Sequence, residues 1–337
     1  MISKRKKIPL LYFLFVVVVL SVWLNYMYTN EAWNLLSVHI APLIIMFFGA
    51  FIAGSSPEGS AAIAYPVFTL YLGIAPEVAR NFAFAIQSIG MTAATLLILG
   101  LRLKIDWTYI AYVSISGLVG LIFAAFIVVP HIAPGVAKLL FVSLWLAFGL
   151  ILWKNNQSSD RMPTDHLVLD NRMEKWLLIL FGIAGGAVSA VFGTGINILT
   201  FCLLVTYFRM SEKVATPSSI IIMTAETIVG FGLHLFILKD MQPLALEMWL
   251  ACIPVVVFLA PLGSYFMWRI TRVQLVKLLT VLLVVQYFAA LWVIKPNAIL
   301  LLASLLSVAF GLFVFRRLEQ AGLKRKIRLE ALQSPIQ

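Results

Sequence analysis

Two short polar stretches break up otherwise apolar sequence, and their residue types are those that hold small anions. The first is Gly54-Ser55-Ser56-Pro57-Glu58-Gly59-Ser60 and the second is Gly193-Thr194-Gly195-Ile196-Asn197. Glycine lets a ligand approach the backbone closely. A helix restarting after such a break presents unpaired N–H donors and a partial positive charge. The expected restarts are near Ala61 and Asn197. Ser55, Ser56, Ser60, Thr194 and Asn197 can add side-chain donors or cap the helices. Asn81 and the Ser218-Ser219 pair open the following segments and complete an expected cradle with Gly59, Gly193 and Gly195. Arg80 can pair with the bound anion, with Glu77 or Glu58, or serve as an outer-surface anchor. The alternative for the whole set is capping and packing of two helix breaks.

Few ionisable residues fall inside apolar sequence, so each is a functional candidate. Glu226 lies midway along one such segment and Glu58 at the first break. A carboxyl group taken out of water favours its neutral form, which makes both candidates for proton coupling. A carboxyl simply bonded to a backbone break is the other reading. His234 reads as an interface residue or a proton relay. Gln87 and Gln286 read as hydrogen-bonding links between helices.

Other chemistries lack their residues. His39, His131, His166 and His234 are scattered and form no His-Glu-x-x-His pair. No serine has an evident histidine base, and the Gly-x-x-x-x-Gly-Lys-Ser/Thr phosphate loop is absent. Cys202 and Cys252 stand alone in apolar segments and read as small buried hydrophobes. No enzyme activity, metal or cofactor is expected. A carrier leads, an anion channel is the alternative, and an intramembrane enzyme ranks below both.

The elements that must position these residues are membrane helices. Hydrophobic residues form 62% of the chain and charged residues 12%, half the charge of a soluble domain. Mean hydropathy is +1.01. The expected class is an all-α polytopic membrane protein. The net charge of +11 sits at the ends of apolar runs, which suits lipid head groups rather than nucleic acid. The expected partners are a small anionic substrate and the lipid bilayer, with a homodimer left open. The apolar segments run over residues 8–28, 39–73, 76–100, 107–129, 134–153, 176–208, 212–238, 245–267, 271–294 and 297–315. Residues 1–38 hold a first, uncleaved span and an external loop. A polar linker covers 154–175. A basic tail, 316–337, is expected as a short amphipathic surface helix or a disordered stretch.

Segments 39–73 and 176–208 are too long for one span, and each carries one break. Each break should leave two half-length helices forming a re-entrant hairpin. A shift of 136 residues aligns the halves: Gly49 meets Gly185, Gly59 meets Gly195, Tyr71 meets Tyr207, and Val78-Ala79 meets Val214-Ala215. Repeats over 39–153 and 176–294 follow, with a last span at 295–315. Two hairpins and eight full spans place Lys4 to Lys7, Arg102, Lys104, Lys154, Arg161, Arg172, Lys175, Arg209, Lys213, Arg269, Arg272, Lys277 and the six basic tail residues on one side. That side should be the cytoplasm of a multi-pass protein of the cell (inner) membrane, with both termini inside. Three spans between the hairpins make the repeats inverted, the layout of many secondary transporters.

The second copy of the pattern reads Gly182-Ile183-Ala184-Gly185-Gly186, then Phe192-Gly193-Thr194-Gly195, then Lys213-Val214-Ala215-Thr216-Pro217-Ser218-Ser219. The first reads Gly49-Ala50-Phe51-Ile52-Ala53-Gly54, then Glu58-Gly59, then Glu77-Val78-Ala79-Arg80-Asn81. Over about residues 39–315 this resembles the TauE/SafE family of sulfite-exporter-like permeases. The resemblance implies export or uptake of a small anion, often sulfur-containing or organic. The chain departs from the family pattern at Ser55-Ser56-Pro57 and at Asn81-Phe82 and Pro217-Ser218, which bears on substrate rather than on fold.

Overall fold

The computed structural model describes residues 9–60, 67–131, 134–157 and 163–333. The expected N-terminal basic cluster, the restart near Ala61 and Arg161 lie outside them. The described chain is helical throughout, and its helices are α1 (Leu10–Thr29), α2 (Asn34–Val38), α3 (Ile40–Ser55), α4 (Pro76–Gly100), α5 (Trp107–Ile127) and α6 (Pro134–Gln157). After the linker come α7 (Arg172–Phe192), α8 (Ile196–Thr206), α9 (Glu212–Gly232), α10 (Pro243–Arg269), α11 (Arg272–Ile294) and α12 (Ala298–Gln333). Single π-helical turns lie at Val67–Tyr71 and Leu233–Ile237. Among the described residues, eight helices are long and apolar enough to cross a bilayer. This is the expected polytopic membrane protein.

Both breaks form where expected, and the arms of the second are unequal. Among the described arms, α8, with 11 residues, is half-length. α3 has 16 residues and α7 has 21. α7 starts before its apolar run because the Asn171 side chain caps it, accepting the Glu174 N–H at 2.9 Å. By length α7 is itself one of the eight candidate spans. Its surroundings show that the segment doubles back. Thr164, just before α7, accepts from the Ser211 N–H at 2.8 Å and donates to the Arg209 carbonyl at 3.0 Å, just after α8. The first broken segment also returns to its starting end. His39 at its entry meets Glu247 near the start of α10, at 3.2 Å. Asn81, beyond its exit, donates to the Gln242 side chain at 3.0 Å, beside that same start. The second segment returns at the far end of α10, where Lys213 Nζ donates to the carbonyls of Trp268 at 3.0 Å and Ile270 at 2.6 Å.

The two halves pack through each other. α7 packs on α5 and α3 on α10, while α4 and α9 cross at the centre and α6 packs against α11. Exchanging the halves maps this contact pattern onto itself. Small residues allow both outer crossings. A Cβ on Gly186 would stand 1.9 Å from the Gly117 carbonyl oxygen, and one on Gly54 would stand 1.8 Å from that of Ala260.

Basic residues gather at one end of the bundle. Lys104 pairs with Asp165, Arg272 with Glu212 at 3.6 Å, and Arg328 with Asp170. The tail differs most from expectation, because α12 runs on past Arg316 without a break. Its basic segment docks on the linker rather than lying free. Arg325 grips fully buried Glu174 through two hydrogen bonds of 2.6 and 3.1 Å and donates to the Val168 carbonyl. The Arg325 guanidinium also lies 5.0 Å above the Phe208 ring. Gly322 lets α12 approach closely, since a Cβ there would be 2.4 Å from the Tyr207 carbonyl oxygen. The buried carboxylate of Glu174 gives the tail a fixed partner that the tail's own sequence does not reveal.

Candidate functional site

The two breaks meet beside Gln87 of α4 and Met223 of α9, each near the middle of its helix. The chain turns at Gly59 and Gly193, whose φ angles of +74° and +75° lie in the left-handed region that favours glycine. Asn197, at the start of α8, reaches across and donates to the Pro57 carbonyl of the first break and to Met223 Sδ at 3.1 Å. Thr194 donates to Asn197 Oδ1 at 3.3 Å. Gln87 Nε2 donates to the Gly193 carbonyl at 3.1 Å. A Cβ on Gly59 would lie 2.7 Å from Thr194 Oγ1, 2.9 Å from Gln87 Oε1 and 3.2 Å from Met223 Sδ. The breaks are therefore in direct contact, and the chain leaves no room for larger side chains between them.

Glu226 is wired to the second break. Its Oε2 accepts from Ser189 Oγ at 2.9 Å, and Ser189 Oγ accepts from the Ile196 N–H at 3.0 Å. One hydroxyl thus links the carboxyl to the first amide of α8. Glu226 is buried, and its Oε1 has no hydrogen-bond partner among the described residues. Ser189 was not singled out in the sequence. It lies within α7, and only the fold of the hairpin brings it over the start of α8.

The remaining sequence candidates fall into three places. Ser55 and Ser56 turn back to the Ile52 carbonyl at 3.1 and 2.9 Å, and Ser56 Oγ accepts from the Glu58 N–H at 3.3 Å. They shape the first break, with Glu58 and Ser60 buried beside them. Arg80 and Asn81 instead point toward the end where α10 begins. Arg80 donates to Asp240 Oδ2 at 3.3 Å and to Asn81 Oδ1 at 3.0 Å, while Asn81 donates to the Asp240 carbonyl at 2.9 Å. His234 joins them through Asp240 Oδ1 at 2.7 Å. Of Arg80, it is the backbone that lies against Gly193. Ser218 lies toward the opposite end, where it accepts from the Asp106 N–H at 2.9 Å and donates to the Val214 carbonyl. Ser219 donates to the Thr216 carbonyl at 2.8 Å. The fold therefore brings Gly59, Gly193, Thr194 and Asn197 together with Gln87 and Met223, and ties Glu226 to them. It spreads Arg80, Asn81 and Ser218 over the approaches from either end.

The family model described as Sulfite exporter TauE/SafE matches residues 41–290. The chain belongs to the TauE/SafE family. The match starts within the first turn of α3, spans both breaks and α4 to α10, and ends within α11. No curated protein and no solved structure matches the chain. As a TauE/SafE protein the chain is a membrane transporter, and the paired breaks lie inside the part that defines the family.

Proposed function

We propose that this protein is a proton-coupled secondary transporter that exports a small anion across the cell membrane. The anion is a sulfur oxyanion, an organosulfonate or a carboxylate. The observation that carries the reading is the contact between the two helix breaks at the middle of α4 and α9. Irregular backbone at membrane depth is tolerated where it is buried in protein or lines a cavity, and paired broken helices are where secondary transporters hold substrate. The entry and exit contacts of the two hairpins lie at opposite ends of α10, which supports an inverted repeat. The basic end then faces the cytoplasm with both termini, following the bias of Lys and Arg toward that side.

In this mechanism movement of one half against the other opens the contact between Gly59, Thr194 and Asn197, and the anion enters there, close to the N-terminus of α8. Glu226 takes up and releases the coupling proton. Its link through Ser189 to the first amide of α8 transmits the protonation state to the break. Exchange of the anion between the two ends follows small movements of one half against the other. Arg80 and Asn81 lie on one approach and Ser218 on the other.

The test is uptake of radiolabelled sulfite or a small sulfonate into liposomes holding the purified protein, with and without a pH gradient. Saturable flux that responds to the gradient is expected. Glu226→Gln should remove the response to the gradient while leaving anion exchange at zero gradient. Non-saturating flux would favour a channel, and an unchanged gradient response in the variant would reject Glu226 as the proton carrier.

A further inference from the structure

At the basic end of the bundle lies a cavity of about 360 Å³, walled by the α4–α5 loop, the linker, the start of α9 and the end of α10. It shares no residue with the paired breaks. Its size suits a small ligand, since such sites occupy about 300–1,000 Å³. Arg102, Lys104 and Lys213 line it together with Asp165, so three cations face one carboxylate. The rest of the wall is apolar and includes Val214 and Trp268. A cleft lined mostly by one sign of charge concentrates ions of the other sign.

The cations differ in what they offer a ligand. Lys104 is paired with Asp165, but their side chains are 72% and 42% exposed, and a pair so open to water is weakly held. Lys213 donates to the last carbonyls of α10, those of Met267, Trp268 at 3.0 Å and Ile270 at 2.6 Å. Its hydrogens are thereby used. Its charge is not cancelled by carbonyls, and it covers oxygens that would otherwise repel an anion. Arg102 has free donors. Its side chain makes no hydrogen bond or ion pair among the described residues, and a guanidinium can grip an oxyanion through two parallel bonds. The Arg102 backbone is left-handed, with φ of +50°, where the Leu103 N–H closes the end of α4 onto the Ile98 carbonyl at 3.2 Å. Glycine is the usual residue at such a helix end. Arginine there sets a guanidinium beside two other cations at a cost in backbone strain.

We infer that this cavity binds one tetrahedral oxyanion group, a sulfate, sulfonate or phosphate. Arg102 is its main donor, and Lys104 and Lys213 supply charge. Such a group is offered by a free anion in solution and by the head group of an acidic phospholipid, which basic pockets between membrane helices also hold. A free anion here would stand at the foot of one approach to the breaks, because the Val214 carbonyl accepts from Ser218 at 2.8 Å. A lipid phosphate here would tie the α4–α5 loop to α9 and α10. The site is separate from the one proposed at the breaks and stands or falls without it.

The test uses the purified full-length protein, stripped of lipid in detergent, as wild type, Arg102→Gly and Lys104→Gln. Binding of inorganic sulfate is measured by calorimetry at constant ionic strength, and binding of phosphatidylglycerol by native mass spectrometry. Wild type should bind at least one of the two probes. Sulfate alone identifies a free anion as the ligand, phosphatidylglycerol alone identifies a lipid head group, and either result supports the site. Arg102→Gly should weaken that binding about tenfold or more, the worth of a charge-assisted hydrogen bond. Its melting temperature should stay level or rise, because glycine accepts the left-handed turn without strain. Lys104→Gln should weaken binding by a smaller factor, and it decides the matter should Arg102→Gly fail to fold. Binding of neither probe by wild type would overturn the site. Undiminished binding in both variants would also overturn it and, for sulfate, would place the anion elsewhere in the protein.

Discussion

The two helix breaks correspond under the 136-residue shift of the sequence, yet they are held together differently. The second is bonded on every side. Ser189 meets the Ile196 amide, Asn197 reaches Pro57 and Met223, and Gln87 holds the Gly193 carbonyl. In the first, Ser55, Ser56 and Gly54 make mostly local contacts. Ser55 and Ser56 fold back on Ile52, and Ser264 of α10 holds the Gly54 carbonyl at 2.8 Å. The hairpin bases differ in the same direction. Fully buried Glu174 anchors the second through Arg325, whereas the first has a His39–Glu247 contact in which the glutamate side chain is 47% exposed. At the centre, Gln87 and Met223 are equivalent positions under the 136-residue shift, and one offers an amide where the other offers a thioether. A nearly symmetric backbone can thus present an asymmetric site. The second hairpin is tied at its tip through Ser189 and Gln87 and at its base through Arg325.

Five substitutions, one of them a control, probe this contrast. Gly59→Val should have the largest effect. Its φ of +74° and the 2.7 Å approach to Thr194 Oγ1 leave no place for a side chain, and backbone strain alone costs about 1–3 kcal/mol. Transport in liposomes should fall to background. Gly49→Ala is the control, since its nearest neighbour would be at an ordinary 3.6 Å; loss of transport there too would break the argument from close approach. Arg325→Ala comes next. Leaving Glu174 buried without its cation should cost about 3–5 kcal/mol, seen as a lowered melting temperature and faster proteolysis of the tail. Asn197→Ala removes the tie between the breaks, and an unsatisfied Pro57 carbonyl should cost about 1–3 kcal/mol. Thermal unfolding of the purified protein in detergent measures it. His39→Ala should change stability least, by less than about 1 kcal/mol, as partly exposed pairs do. A melting-temperature loss equal to that of Arg325→Ala would show the two bases to be equally anchored.

Much of this was legible in the sequence because membrane helices are written in long apolar runs and breaks in short polar ones. Gly59, Gly193 and Asn197 were found from composition and spacing alone. The contacts of Asn81 and Ser218 were not, because their partners Asp240 and Asp106 lie 159 and 112 residues away. Ser189 gave no signal, since a serine in an apolar helix is ordinary until a carboxyl and an amide are brought to it. The tail was read as a surface helix or a disordered stretch because its charges alternate with leucines. Only the placement of Glu174 and Asp170 beneath it makes that stretch a docked continuation of α12.

By itself the sequence determined the membrane class, the positions of both breaks and the distribution of basic charge, all of which follow from hydrophobicity and local backbone preference. The tertiary structure decided that the broken segments double back, that their tips touch, and that Glu226 is wired through Ser189 to α8. It also decided that Gln87 holds the Gly193 carbonyl of the second break. These are contacts between residues far apart in the chain, and no local preference encodes them.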